Sequence, residues 1–266
     1  MMRVGYVQTK PEYGKKEENI DNAVTLFENV DADLLVLPEL FSTGYFFPSR
    51  EELAKYAEEI PDGRTTKLFK SLAKKKKCAF VIGIAEKKDG RCYNSSVYIA
   101  PGGDIHLYRK VHLFYKEQFI FNRGNLKFKA FPFYEYKLGM MICFDYIFPE
   151  ACRVLALRGA NVICHPSNLV LNYCQMTMPI RSIENRIFTI TSNRVGSDTV
   201  GDETLKFTGM SQITDVDGNV LVRAGKTKPS VAVEDIDLRK SLEKMPTEFN
   251  DLIKDRRPDF YEELLL

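Results

Sequence analysis

The run "LGMMICFDYIFPEACRVLALRGANVICHPS", Leu138 to Ser167, constrains the fold more than any other part of the chain. It opens as an apolar strand and becomes an amphipathic helix over 149–158. Pro149 suits the first helical turn and Gly159 its end. It then closes on a second buried strand, "ANVICHPS". Two strands joined through a helix lie parallel in one sheet, and parallel strands are buried on both faces. A lone thiol, Cys143, stands where the first strand gives way, followed at once by Phe144 and Asp145. A small hydrophobe would pack as well there, so the thiol is either core filler or a nucleophile.

The same alternation runs through the rest of the chain. "RVGYVQT" (3–9) and "DLLVLPEL" (33–40) read as strands around the helix "NIDNAVTLFENV" (19–30), and "TTKLFKSLAKKKK" is a further helix. "CAFVIGIAEK", "CYNSSVYIA" and "DIHLYRK" are strands divided by Gly90 and by Pro101-Gly102-Gly103, which are hairpin signals. After a less regular stretch, 110–127, come the strands "KFKAFPFYEY" and "KLGMMICF". The helix "MPIRSIENRI" and the strand "FTITSNRV" follow "ANVICHPS". "TGMSQITDV", "NVLVRAG" and "SVAVEDIDL" end the pattern. Crossovers mixed with hairpins predict an α/β fold, with a mixed sheet or two packed sheets and helices outside. No repeat or low-complexity linker divides the 266 residues, so one domain over 1–266 is expected, with 238–266 as a tail docking elsewhere. The terminal Leu264–Leu266 would be exposed in a monomer, which points to a subunit interface.

Composition excludes several classes. A net charge of +2 argues against a dedicated nucleic-acid binder. The one basic block, Lys74–Lys77, ends a helix, where the dipole favours cations. No apolar run is long enough to span a membrane and no secretion signal opens the sequence, so a cytoplasmic protein is expected. Six cysteines without CxxC spacing predict free thiols rather than a disulfide framework. Cys78, Cys92, Cys152 and Cys164 read as core, and Cys174 as a residue of a loop. His106, His112 and His165 form no metal motif, so no metal site is expected. Asp215–Val220, "DVDGNV", resembles a calcium loop but carries Val220 where glycine is required, so it reads as a hairpin turn.

A nucleophilic cysteine needs a base or positive field, oxyanion donors and an acid for the leaving group. His106 sits inside a strand and His165 follows one; a Cys–His pairing with His112, in "YRKVHLFYKE", stays open. Two other strand ends carry ionisable groups. Glu39 directly follows the buried run Leu34–Leu37, where an unpartnered carboxylate is costly. Lys110 ends the strand "DIHLYRK", and Glu117 lies in the loop beyond. Functional groups of α/β sheets gather where strands run out into loops.

These residues carry a resemblance. "LVLPELFSTGY", "YRKVHLF" and "MICFDYIFPEACRVLALRGANVI" resemble the glutamate, lysine and cysteine motifs of the nitrilase superfamily of carbon–nitrogen hydrolases. "RSIENRIFTITSNRVG" and "GMSQITDVDGNVL" extend the likeness over nearly the whole chain. "HLFYKEQFIFNRGN" and "HPSNLV" are most similar to archaeal thermophilic nitrilases and small aliphatic or omega-amidases. Two departures stand out: Arg123-Gly124-Asn125 replaces a common Pro-Gly-Asp, and the Phe-Asp after Cys143 is nearer the amidases than the Trp-Glu of dedicated nitrilases.

The resemblance implies a four-layer α-β-β-α sandwich with two mixed six-stranded sheets and outer helices, paired as a homodimer. It implies Cys143 as nucleophile, Glu39 as base, and Lys110 with the Phe144 N–H as oxyanion donors. Glu117 would orient Lys110 or the substrate, and Asn168 and Tyr45 would line the pocket. Asp145 would fix the elbow through backbone hydrogen bonds, and Glu150 with Arg153 would form a structural ion pair. No metal or organic cofactor is implied. The partner expected is a small-molecule amide, hydrolysed with release of ammonia. Small (di)nitriles, N-carbamoyl amines or acyl transfer are alternative chemistries, and an inert scaffold is the non-enzymatic one.

Overall fold

The computed structural model describes residues 1–265, so part of the expectation placed on Leu264–Leu266 lies outside the described residues. In chain order the first half holds β1 (Met2–Gln8), α1 (Lys16–Phe27), β2 (Leu34–Val36), α2 (Arg50–Ala54) and α3 (Arg64–Lys76). It continues with β3 (Ala79–Lys88), β4 (Arg91–Ile99), β5 (Ile105–Arg109) and the short α4 (Glu117–Ile120). The second half holds β6 (Ala130–Phe133), β7 (Tyr136–Met140), α5 (Pro149–Leu157), β8 (Val162–Pro166), α6 (Cys174–Asn185) and β9 (Phe188–Ser192). β10 (Ser197–Val200), β11 (Glu203–Lys206), β12 (Gln212–Thr214), β13 (Val220–Arg223) and β14 (Ser230–Ile236) complete it.

Two six-stranded sheets result, ordered β14-β1-β2-β3-β4-β5 and β13-β12-β9-β8-β7-β6. In each, three central strands run parallel (β1-β2-β3 and β7-β8-β9) and the flanking strands join antiparallel. Both sheets are therefore mixed, and the last strand of the chain returns to pair with the first.

Alternation within β2 explains the layering. Leu34 and Val36 belong to the core between the sheets, with Val4, Val81, Met140, Val162 and Ile190. Leu35 and Leu37 point the other way, onto Ile20 and Phe27 of α1 and Phe69 of α3. Phe27 and Phe69 close on Phe80 with ring centroids 5.3 and 5.2 Å away. Burying each such ring contributes roughly 1.5–3 kcal/mol. Cys152 and Leu155 of α5 and Met178 of α6 cover the second sheet. The order of layers is α-β-β-α, as the resemblance implied.

Several expectations are corrected. The helix read as 178–187 begins at Cys174, and Cys174 is fully buried in it rather than lying in a loop. Glu150 and Arg153 form no ion pair; Arg153 donates instead to the Glu184 carbonyl over 2.6 Å, tying α5 to α6. The stretch 110–127 contains α4, and α2 and the β10–β11 hairpin were not anticipated. Other readings hold. Lys74–Lys76 close α3, with Lys77 in the left-handed region as its cap. Asp215 accepts the N–H groups of Asp217 and Asn219, so "DVDGN" is a turn between β12 and β13.

Candidate active site

Three strand ends converge. Glu39 follows β2, Lys110 follows β5 and Cys143 follows β7, and each side chain is all but fully buried. Lys110 Nζ donates to Glu39 Oε1 and to Glu117 Oε1, both over 2.7 Å. Burial alone would depress the Lys110 ammonium, but Glu117 and Glu39 overrule it and hold its pKa above the ordinary lysine value. Burial raises the Glu117 carboxyl against the pull of Lys110, and Glu39 adds to the rise. Glu117, expected in a loop, is the first residue of α4, and its Oε2 accepts the Phe114 N–H over 2.8 Å. The Tyr45 hydroxyl faces the same carboxylates; burial, Glu117 and Glu39 keep it protonated.

Backbone contact fixes these positions. A Cβ on Gly83 of β3 would overlap the Glu39 Cα and lie 2.6 Å from the Pro38 carbonyl oxygen. A Cβ on Gly124 would overlap the Arg109 carbonyl oxygen and lie 2.7 Å from that of Lys110. Glycine at both places lets β3 and the 122–125 loop press directly on the chain that carries Glu39 and Lys110. The departure at Arg123-Gly124-Asn125 preserves the glycine, and Asn125 receives a hydrogen bond from Arg109 over 2.7 Å.

Cys143 sits on a sharp elbow. Its φ is +40°, a region a non-glycine residue rarely occupies, and it opens the 3₁₀ turn Cys143–Ile147. The backbone is clamped on both sides. Ile142 N–H donates to Asp145 Oδ2 over 2.8 Å, and His165 Nε2–H donates to the Cys143 carbonyl over 2.8 Å. Burial pushes the His165 imidazole down to about 4, so it serves as a neutral donor. Asp145 also accepts from Tyr108 and pairs with His112 Nδ1, each over 2.7 Å. His112 is therefore the partner of Asp145 and stacks on Phe148; it is part of the elbow's support. The strand that delivers Lys110 is thereby locked to the turn that delivers Cys143.

Burial raises the Cys143 thiol, Glu39 raises it further, and Lys110 only partly offsets them. The thiol is protonated at neutral pH. The Asn168 N–H faces its sulfur, and the Asn168 side chain donates to the Glu39 carbonyl over 2.7 Å. The Phe144 N–H lies in the first turn, among the donors that a helix start leaves without an intrahelical acceptor. A cleft beside the thiol is walled by Phe114, Phe144, Tyr146, Leu169, Val170 and Leu171, with Cys143 and Asn168 at its base. A second cleft is lined by Tyr45, Phe46, Lys116 and Glu117, and Lys116 is paired with Glu203.

The sequence reading missed Asn94, in the middle of β4, which donates to Glu39 Oε1 over 2.6 Å and to Glu117 Oε1 over 3.3 Å. It also missed Gly83, Gly124 and the role of His165. Among the described residues, no group of three or more His, Cys, Asp or Glu is arranged to hold a metal, and no helix is long and apolar enough to cross a membrane.

Comparison with known proteins bears on this geometry. A nitrilase of Pyrococcus abyssi is 44% identical over 264 residues, covering 98% of this chain and 99% of its own. An (R)-stereoselective amidase of a Pseudomonas species is 33% identical, covering 96% and 92%. The crystal structure of a carbon–nitrogen hydrolase from Helicobacter pylori G27 superposes with a TM-score of 0.85 at 27% identity, covering 100% of this chain and 98% of that one. Residues 3–243 match the family described as Carbon-nitrogen hydrolase. With the match spanning all but the tail, and a relative aligned end to end, this chain belongs to the carbon–nitrogen hydrolase family.

Proposed function

We propose that the chain hydrolyses the carboxamide of a small molecule and releases ammonia, with Cys143 as nucleophile and Glu39, Lys110 and Glu117 as its partners. The observation that carries this reading is the Lys110 ammonium held 2.7 Å from both Glu39 and Glu117 beside a protonated, buried thiol. A thiol in that state needs a base at the moment of attack. Glu39 takes the thiol proton as Cys143 Sγ bonds to the carbonyl carbon. The Lys110 ammonium and the Phe144 N–H hold the developing oxyanion; removing one such donor typically costs roughly 10²–10³ in rate. The carbon–nitrogen bond then breaks, Glu39 returns the proton to the departing ammonia, and a thioester remains. Glu39 next deprotonates water, whose oxygen attacks the thioester, expelling the acid and regenerating the thiol. Glu117 orients Lys110, with the Tyr45 hydroxyl behind it, and Asn168 ties the Glu39 loop to Cys143. Cys143→Ala should abolish ammonia release while the melting temperature stays nearly unchanged; turnover retained in that variant ends this reading.

One observation favours a second reading, nitrile hydrolysis: the 44% identical relative bears the name nitrilase. Attack on a nitrile would give a thioimidate and consume two waters, so ammonia released from a nitrile with acid as the final product distinguishes it.

We read the two sheets and their shared core as one domain with residues 238–266 as its tail, and a second copy of the chain as the cover for the apolar face of α6. Met176, Ile180 and Ile183 are exposed there, as are Leu242, Phe249, Phe260 and Leu264 of the tail. A monomeric mass by light scattering at micromolar concentration would remove the dimer.

A further inference from the structure

A buried ion pair stands outside the reacting set. Arg194 follows β9 and Asp198 lies in β10, and both side chains are almost wholly shielded from solvent. Arg194 belongs to "RSIENRIFTITSNRVG", a stretch to which the proposed chemistry gives no task. The pairing is bidentate: Nη1 donates to Asp198 Oδ2 over 2.8 Å and Nη2 to Oδ1 over 2.9 Å. Stability alone does not account for such a pair, because apolar residues of similar volume often serve a fold as well or better. Its remaining hydrogen bonds do. Arg194 Nη2 also donates to the Pro11 carbonyl over 2.7 Å. Asp198 Oδ2 accepts the N–H of Tyr45 over 2.8 Å and that of Phe46 over 3.2 Å. The pair thus knots together the segments that follow β1, β2 and β9.

Tyr45 is held through its ring as well. The Arg194 guanidinium sits over the Phe207 ring, 4.1 Å from its centroid, and Tyr45 meets the same ring edge-on at 5.8 Å. At the other end of Tyr45 is the reacting set. Burial, the charges of Glu117 and Glu39, and a hydrogen bond to Glu117 keep its hydroxyl protonated. One residue therefore has its backbone in the ion pair and its hydroxyl on the carboxylate that holds Lys110.

Resting on the amidase reading above, we propose that Asp198, oriented by Arg194, is a positioning residue of the reaction: it fixes the Tyr45 backbone so that the Tyr45 hydroxyl meets Glu117 and keeps that carboxylate on Lys110.

The test measures kcat and KM for ammonia release from butyramide by the full chain, well below the melting temperature of each variant. Tyr45→Phe should lower kcat by roughly 10- to 100-fold, the worth of a hydrogen bond to a charged group. Asp198→Ala should lower kcat by about tenfold or more and keep KM within about threefold, the mark of a contact that matters only in the transition state. Adding Asp198→Ala to Tyr45→Phe should cost no more than about a further twofold, because both act through one hydroxyl. Asp198→Asn keeps an oxygen for the two N–H groups and should recover most of the alanine loss. If the alanine variant does not fold, Phe207→Leu spares the ion pair, removes the ring against Tyr45 and should lower kcat in the same way. Independent losses that multiply, a raised KM at parental kcat, or an asparagine variant as poor as the alanine one overturns the inference. Cys143→Ala separates the two readings. If turnover requires Cys143 but the Asp198 and Phe207 variants match the parent, only this inference falls. If the parent releases no ammonia, or turnover survives Cys143→Ala, the amidase reading falls and takes this inference with it.

Discussion

His165 Nε2 lies 2.8 Å from the carbonyl oxygen of Cys143, so a buried neutral imidazole holds the left-handed elbow from behind. The unfolded chain would protonate this histidine near pH 6.5, whereas burial moves it in the folded protein down to about 4. Its contribution to stability is therefore full above about pH 6.5 and is lost as pH falls through the window between the two values. The loss should reach roughly 3 kcal/mol at 1.36 kcal/mol per unit. In urea titrations at pH 7, 5.5 and 4, His165→Gln should lose less stability on acidification than the parent chain. Parallel pH dependence in the two proteins would show that the histidine is not neutral when folded.

Gly83 and Glu39 give a second expectation. Gly83→Ala places a Cβ against backbone atoms of Pro38 and Glu39, which cannot rotate away. Overpacking of this kind costs about 1–3 kcal/mol, and a shift near 1 Å at a reacting group costs on the order of 10² in rate. Gly83→Ala and Gly124→Ala should both lose activity out of proportion to their loss in melting temperature. Gly102→Ala, where nothing lies within 4 Å of the added methyl, is the control and should behave as the parent. Equal behaviour of all three variants would mean that the two close approaches do not set the site.

Asp145 distinguishes two substitutions that look similar. Its Oδ2 accepts from Ile142 N–H and Tyr108, and its Oδ1 pairs with His112. An asparagine keeps one oxygen for Ile142 and Tyr108 and presents an N–H that His112 can accept after changing tautomer. Asp145→Asn should cost about 1 kcal/mol or less. Asp145→Ala leaves the Ile142 N–H and the Tyr108 hydroxyl buried and unpaired, at roughly 1–3 kcal/mol each. Chemical denaturation of both variants checks the ordering; an alanine variant as stable as the asparagine one contradicts it.

What could be read in the sequence follows from where each signal lives. Glu39 announces itself because a carboxylate at the end of an apolar run has no packing reason to be there. Cys143 alone could be core filler and gains its meaning from Glu39 and Lys110 at two other strand ends. Asn94 does not announce itself, since a polar run of Asn94, Ser95 and Ser96 within a strand carries no mark of chemistry and only the fold brings β4 over Glu39. Gly83 and Gly124 are legible only once the chain that presses on them is known. The start of α6 was misplaced because Pro179 favours a first helical turn, yet it lies in the second turn. The proline has no N–H to give to the Gln175 carbonyl one turn back, and that carbonyl instead accepts from Gln212 and Arg223, each over 3.3 Å. Those partners arrive from strands more than thirty residues later, beyond the reach of local periodicity.

Lys110 and its two carboxylates yield the sharpest pH test. One ammonium holds Glu39 and Glu117 together at 2.7 Å each, with all three groups buried. Lys110→Met removes the cation and keeps the bulk, leaving two carboxylates facing each other in a dry site. Breaking a buried pair in this way costs about 3–5 kcal/mol. The pair relieves the repulsion by holding a proton, as like charges in one site do. Without the pull of Lys110, the folded Glu117 carboxyl, already raised by burial, is raised further above its unfolded value. The protonated Glu117 stabilises the fold at low pH, and that stabilisation is lost as pH rises through the raised value. Lys110→Met should thus be most stable relative to the parent near pH 5 and least so near pH 8, as read from urea midpoints. A stability difference independent of pH would mean that the two carboxylates are not coupled through Lys110, and the reading of this site as one electrostatic unit would fail.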